Sequence, residues 1–205
     1  MGTTATADRG SGWLLSKNAV VPGVVALALI AVFWYLSPGL SLIVTFVPTM
    51  ALAYVAHLLT TAREMPDPKR VLPVYLVAFS VQFLHFSEEF ITGFYYRWPQ
   101  EIFHAQPFHV KTFVLINMLS YCAFALGAVA IYKGVNGPML IVWFFTIMGV
   151  VGNGIQHPIY SLLVGGYFPG LFTSLLYWVL GPVLFLRLWE TRAEIHDKNG
   201  TASHA

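Results

Sequence analysis

VLPVYLVAFSVQFLHFSEEFIT, residues 71–92, is apolar for most of its length and then carries His85, Glu88 and Glu89. About 20 apolar residues cross the hydrocarbon of a bilayer, so the stretch reads as a membrane-spanning helix. A charged group at that depth costs from about 2.5 kcal/mol upward unless it faces a cavity and finds a partner. One segment thus points to a membrane bundle and to a functional site inside it.

The rest of the chain agrees. Of 205 residues, 57% are hydrophobic and 10% charged, and the mean hydropathy is +0.68. A soluble domain has about 25% charged residues. The composition predicts an all-α polytopic membrane protein with room for one bundle and no separate soluble domain. The net charge of +2 and the lack of a basic patch interleaved with aromatics exclude nucleic acid as a partner. The single cysteine, Cys122, rules out a disulfide framework and reads as a buried structural thiol.

Six apolar segments are expected to span: 18–36, 40–60, 71–92, 112–132, 138–160 and 169–189. They form a transmembrane domain of residues 18–189 between tails 1–17 and 190–205. Ser37-Pro38-Gly39, Met65-Pro66-Asp67-Pro68, Asn136-Gly137-Pro138 and Gly165–Gly170 punctuate them. The first span ends in Phe33-Trp34-Tyr35-Leu36, too bulky for a signal-peptide cleavage site. Nine Lys and Arg (Arg9, Lys17, Arg63, Lys69, Arg70, Lys133, Arg187, Arg192, Lys198) fall on one side and two (Arg97, Lys111) on the other. That asymmetry predicts cytoplasmic termini, in a protein of the plasma (cytoplasmic) membrane. The sequon Asn199-Gly200-Thr201 then faces the cytoplasm and is read as chance.

Topology sets depth. At about 1.5 Å per residue, Glu88 and Glu89 lie roughly 5 Å below the outer boundary and His85 roughly 10 Å below it. Spans three to five bring Gln82, His85, Glu88, Glu89, Asn117, Asn153 and His157 to one layer of the outer half. Spacings of three and four put Gln82, His85, Glu88, Glu89 and Thr92 on one stripe, and Asn153 with His157 on another. Pro158 deprives the Gly154 carbonyl of its helical donor, which predicts a kink at His157 beside a cavity. The loop holding Tyr95, Tyr96, Trp98, His104 and His109 reads as an interfacial belt with surface histidines, or as a lid supplying further ligands.

The pattern His85-x-x-Glu88-Glu89, followed by Asn153-x-x-x-His157 and Tyr167-Phe168-Pro169-Gly170, resembles the HXXEE family of bacterial and fungal membrane proteins over residues 71–189. That resemblance implies no activity. A second likeness is to the emopamil-binding-protein-like sterol isomerases, in which a His and a Glu one turn apart move protons on a lipophilic substrate. It implies such parts for His85, Glu89, Glu88 and Asn153.

Three readings follow. In the first, His85, Glu88, Glu89, Asn153 and His157 form an acid–base site that isomerises, cyclises or hydrates an isoprenoid- or lipid-like substrate without a cofactor. Gln82 and Asn117 contact that substrate, and Trp34, Tyr177 and Trp178 line an aromatic pocket. In the second, His85, Glu88, Glu89 and His157 hold zinc or iron in a hydrolase or oxidase. The third is a proton or cation transporter or sensor. All three take the bilayer and a small molecule or ion as partners, and none sets an oligomeric state.

Overall fold

The computed structural model describes residues 16–192. The expectations on the outer parts of both tails, with Arg9, Lys198 and the sequon Asn199-Gly200-Thr201, lie outside the described residues.

Every regular element among the described residues is helical. The α-helices are α1 (Lys17–Leu36), α2 (Ser41–Leu59), α3 (Pro68–Thr92), α4 (Phe94–Arg97), α5 (Val110–Lys133), α6 (Met139–Phe144), α7 (Asn153–Val164), α8 (Leu171–Ser174) and α9 (Tyr177–Trp189). Two π-helical segments intervene, π1 (Trp98–Ile102) and π2 (Phe145–Gly152). α6, π2 and α7 run on as one 26-residue rod, Met139–Val164. That rod with α1, α2, α3 and α5 makes five helices long and apolar enough to cross a membrane, and the chain is an integral membrane protein.

The sixth expected span is divided. Residues 169–189 fold as α8 and then α9, joined through i→i+3 hydrogen bonds such as Trp178 N–H to Leu175 O, 3.2 Å. At about 1.5 Å per residue, α9 is roughly 20 Å long, short of the ~30 Å hydrocarbon core.

Local chemistry sets the ends of α3, the helix that carries the motif. Asp67 caps it by accepting from Lys69 N–H at 2.9 Å, and Pro68 occupies the first turn, where no donor is needed. Gly93 ends it with φ +83°, a conformation that L side chains rarely adopt.

The Met139–Val164 rod is the most buried of the five long helices and the axis of the bundle. Trp143 and Phe145 on it are fully enclosed, as are Met50, Tyr75, Ile131 and Leu184 around it. In lipid, such packing and interhelical hydrogen bonds drive association. Trp143 Nε1–H donates to Thr60 Oγ1 at 3.0 Å, and Tyr75 OH to the Phe124 carbonyl at 2.8 Å.

Two expectations are corrected here. Cys122 is exposed on α5, because it faces outward from the bundle. The distortion of the fifth span is not at Pro158, which lies inside α7, but about two to four turns earlier, in π2. The Gly154 carbonyl that Pro158 cannot serve accepts the Trp178 indole N–H at 2.6 Å, so the helix stays continuous there.

Candidate metal centre

Three side chains meet beside the C-terminal half of α3. His85 and Glu89 come from α3, one turn apart, and His157 comes from α7. All are buried. The two Nε2 atoms lie 3.2 Å apart, and Glu89 Oε1 sits 3.4 Å from His157 Nε2 and 3.6 Å from His85 Nε2.

The far ring nitrogens fix which atoms carry hydrogen. His157 Nδ1 lies 2.6 Å from the Pro169 carbonyl, which can only accept, so Nδ1 holds the hydrogen. His85 Nδ1 lies 2.8 Å from Thr173 Oγ1. That hydroxyl gives its own hydrogen to Glu88 Oε2 at 2.5 Å, so it accepts from His85 Nδ1–H. As neutral rings, both histidines therefore turn lone pairs toward each other and toward a carboxylate oxygen. Three such acceptors are held together by a shared cation, a metal ion or a proton.

Tetrahedral zinc with bonds of about 2.0–2.1 Å has ligand–ligand edges of about 3.3–3.4 Å. The 3.2, 3.4 and 3.6 Å triangle matches that spacing. An octahedral set with bonds of about 2.1 Å has shorter edges, about 3.0 Å. The outward hydrogen bonds of both imidazoles to a carbonyl and a hydroxyl are those that orient metal-ligating histidines.

Glu88 does not join the triangle. It accepts from Thr173 N–H at 2.8 Å, Thr173 Oγ1–H, Phe172 N–H at 3.1 Å and Tyr167 OH at 2.8 Å. Burial pushes the Tyr167 phenol above its usual range, so it remains a donor. Glu88 thus acts on His85 through Thr173. Gly170 lies against both rings: at its φ of +86°, a Cβ would come within 2.5 Å of His157 Nδ1 and 2.9 Å of His85 Cε1. Thr173, Pro169 and Gly170 were not singled out from sequence as site residues. The only signal was the Pro-Gly turn ahead of a hydroxyl in an apolar segment.

Glu89 and His157 form part of the wall of a cavity of about 110 Å³ between α2, α3, α5 and the Met139–Val164 rod. Gln82, Asn117 and Asn153 line it too, so the expected polar layer converges on one space. His85 stands behind that wall.

The expected aromatic lining is different. Trp34 faces outward on α1 at 65% exposure. Tyr177 is buried and donates to Gln82 Oε1 at 2.7 Å, holding that amide rather than bounding the cavity. Trp178 is committed to Gly154. The aromatic wall is instead Phe46, Phe94, Trp98, Phe113, Tyr121 and Phe144. Phe94, Trp98 and Phe108 bring the segment after α3 against the cavity. His104 and His109 stay exposed, and His109 caps α5 by accepting from Lys111 N–H at 3.3 Å.

No curated protein and no solved structure matches the chain. A family described as a protein of unknown function with HXXEE motif matches residues 76–185, more than half of the sequence. Its motif is His85-Phe86-Ser87-Glu88-Glu89, which supplies two of the three converging side chains and the carboxylate behind His85, and the chain belongs to the HXXEE family.

Proposed function

We propose that the protein is a zinc-dependent membrane hydrolase acting on a lipophilic ester or amide. The observation that carries this reading is the triangle of acceptor atoms from His85, Glu89 and His157, with both outer ring nitrogens already committed. A divalent cation offsets a buried carboxylate that otherwise is costly at membrane depth. Two histidines and one carboxylate are a catalytic zinc set, and zinc has no redox chemistry, which supports hydrolysis over oxidation.

Two histidines and one carboxylate leave a position for water, whose pKa zinc lowers to about 7. A zinc ion held by His85, Glu89 and His157 would supply a water acidic enough to add its oxygen to an acyl carbon. The alcohol or amine departs with its bonding pair and takes up the proton the water released. Substrate reaches the cavity sideways: α2 packs on α1 and α6, α5 packs on α3 and α6, and these two flanking helices are not a closely packed pair. The positive-inside asymmetry supports a reading with both termini in the cytoplasm and this chemistry in the outer half of the plasma membrane.

A second reading uses the same atoms without metal. The 3.2 and 3.4 Å edges are also hydrogen-bond lengths, so one proton shared by Glu89 and the imidazoles serves acid–base isomerisation, cyclisation or hydration.

Metal analysis of the detergent-purified full chain tests the choice. The zinc reading requires near-stoichiometric zinc that is lost in His85→Ala and His157→Ala and kept in His104→Ala. A folded, metal-free protein that does not take up zinc overturns it in favour of proton transfer.

A further inference from the structure

The polar groups around the cavity have a definite donor and acceptor pattern. Asn117 Nδ2 donates to the Phe113 carbonyl at 2.9 Å, and Asn153 Nδ2 donates to the Gly149 carbonyl at 3.1 Å. A carbonyl accepts only, so each amide is oriented by its own helix and its Oδ1 is the end left over. Neither Oδ1 has a protein donor among the described residues. Gln82 is the reverse case. Its Oε1 takes the Tyr177 hydroxyl at 2.7 Å, leaving Nε2 as a spare donor. Gln156, on the same wall, has its oxygen filled by Tyr160 OH at 3.1 Å.

The wall therefore offers two carbonyl acceptors, Asn117 Oδ1 and Asn153 Oδ1, and amide N–H donors led by Gln82 Nε2, with the Trp98 indole N–H also without a partner among the described residues, all set among aromatic rings. No Lys or Arg lines it, and its one carboxylate is Glu89. A phosphate or sulfate head group would be desolvated there with no counter-charge and would face that carboxylate. A cationic head would lie beside the metal.

We infer that the substrate is an uncharged acyl ester or amide whose alcohol or amine part carries hydrogen-bond donors, a monoacylglycerol- or acyl-ethanolamide-like lipid rather than a phospholipid. The inference rests on the hydrolase reading for the bond that is cut, but the head-group preference belongs to Asn117, Asn153 and Gln82 alone. Those three define complementary contacts: hydroxyls or an N–H to the two Oδ1 atoms, and the acyl carbonyl to Gln82 Nε2–H. The cavity of about 110 Å³ takes a group of roughly eight water-sized units, enough for a glycerol head and the first methylenes. The remaining acyl chain lies outward, in the bilayer.

Direct binding to the full chain in nanodiscs tests this, once with zinc added and once after chelation. The probes are 1-oleoylglycerol, methyl oleate, which lacks donors, and 1-oleoyl lysophosphatidate, which adds charge. At least tenfold tighter binding of 1-oleoylglycerol than of either other lipid supports the inference. In Asn117→Leu and Asn153→Leu the preference over methyl oleate should shrink severalfold. The wild-type comparison stands by itself if either variant does not fold. Equal binding of methyl oleate, or tighter binding of lysophosphatidate, overturns it. The preference persisting in a protein that takes up no zinc would sink the hydrolase reading and leave the head-group assignment standing. Zinc uptake without the preference would do the opposite.

Discussion

Replacing Thr173 by Val removes one oxygen at nearly constant shape and isolates what Glu88 contributes. In the native protein the hydroxyl accepts from His85 Nδ1–H at 2.8 Å and donates to Glu88. In Thr173→Val the ring N–H of a fully buried histidine loses its acceptor, a penalty of about 1–3 kcal/mol. The ring also loses the contact that holds Nε2 toward Glu89 and His157. Removing such an outer partner typically lowers metal affinity by about 10–100-fold, equivalent to about 1.4–2.7 kcal/mol. Glu88 keeps three of its four donors, Thr173 N–H, Phe172 N–H and Tyr167 OH, so the loop itself should remain docked. The assay is competition for zinc against a chromophoric chelator, with wild type, Thr173→Val and Thr173→Ser compared at one pH. The affinity should fall by at least tenfold in the valine variant and recover in the serine variant, with metal-free stability lowered by about 1–3 kcal/mol through the same lost acceptor. Unchanged zinc affinity in Thr173→Val would refute the reasoning, because His85 would then not depend on Thr173 for its orientation.

Two further substitutions probe the frame around the site. Gly170→Ala places a methyl 2.5 Å from His157 Nδ1 on a backbone of φ +86°, so zinc stoichiometry should collapse and the melting temperature fall; full zinc occupancy in that variant would contradict the close approach. Trp178→Phe removes the donor to the Gly154 carbonyl at 2.6 Å and should destabilise by about 1–3 kcal/mol, read by thermal melting, while zinc stoichiometry stays at the wild-type value.

The long helices were legible because apolar runs of span length leave few alternatives in a chain this poor in charge. The division of 169–189 was not, since hydropathy is blind to the hydrogen-bond change at Leu175 and Leu176. The same holds for π2: proline signals a missing donor, but the wider turn over Phe145–Gly152 depends on packing against α2 and α9. At the site, His85, Glu89 and His157 meet, and Asn153 lines the cavity beside Glu89 and His157. Glu88 was grouped with Glu89, although consecutive helix residues point about 100° apart and only one of them can face His157. Thr173 was invisible because a threonine in an apolar segment ordinarily bonds back to its own helix. Trp34 and Trp178 do not reach the cavity beside Glu89, and Trp178 lines a separate groove with Tyr177, because periodicity finds a face but not what the face meets.

The connection between His85 and His157, 72 residues apart, has a consequence for how the molecule is made. At about 5–20 residues per second, ribosomal synthesis exposes Glu88 and Glu89 roughly 4–14 s before His157 appears, and Thr173 follows later still. During that interval α3 carries two carboxylates into the insertion machinery with only His85, on the same helix, beside Glu89 and none of their partners from later segments. The nascent helix is therefore a client that must be held, or kept near the interface, until the last hairpin arrives. The triangle of His85, Glu89 and His157 waits for α7, and a chain truncated before Tyr167 would still leave Glu88 without its four donors.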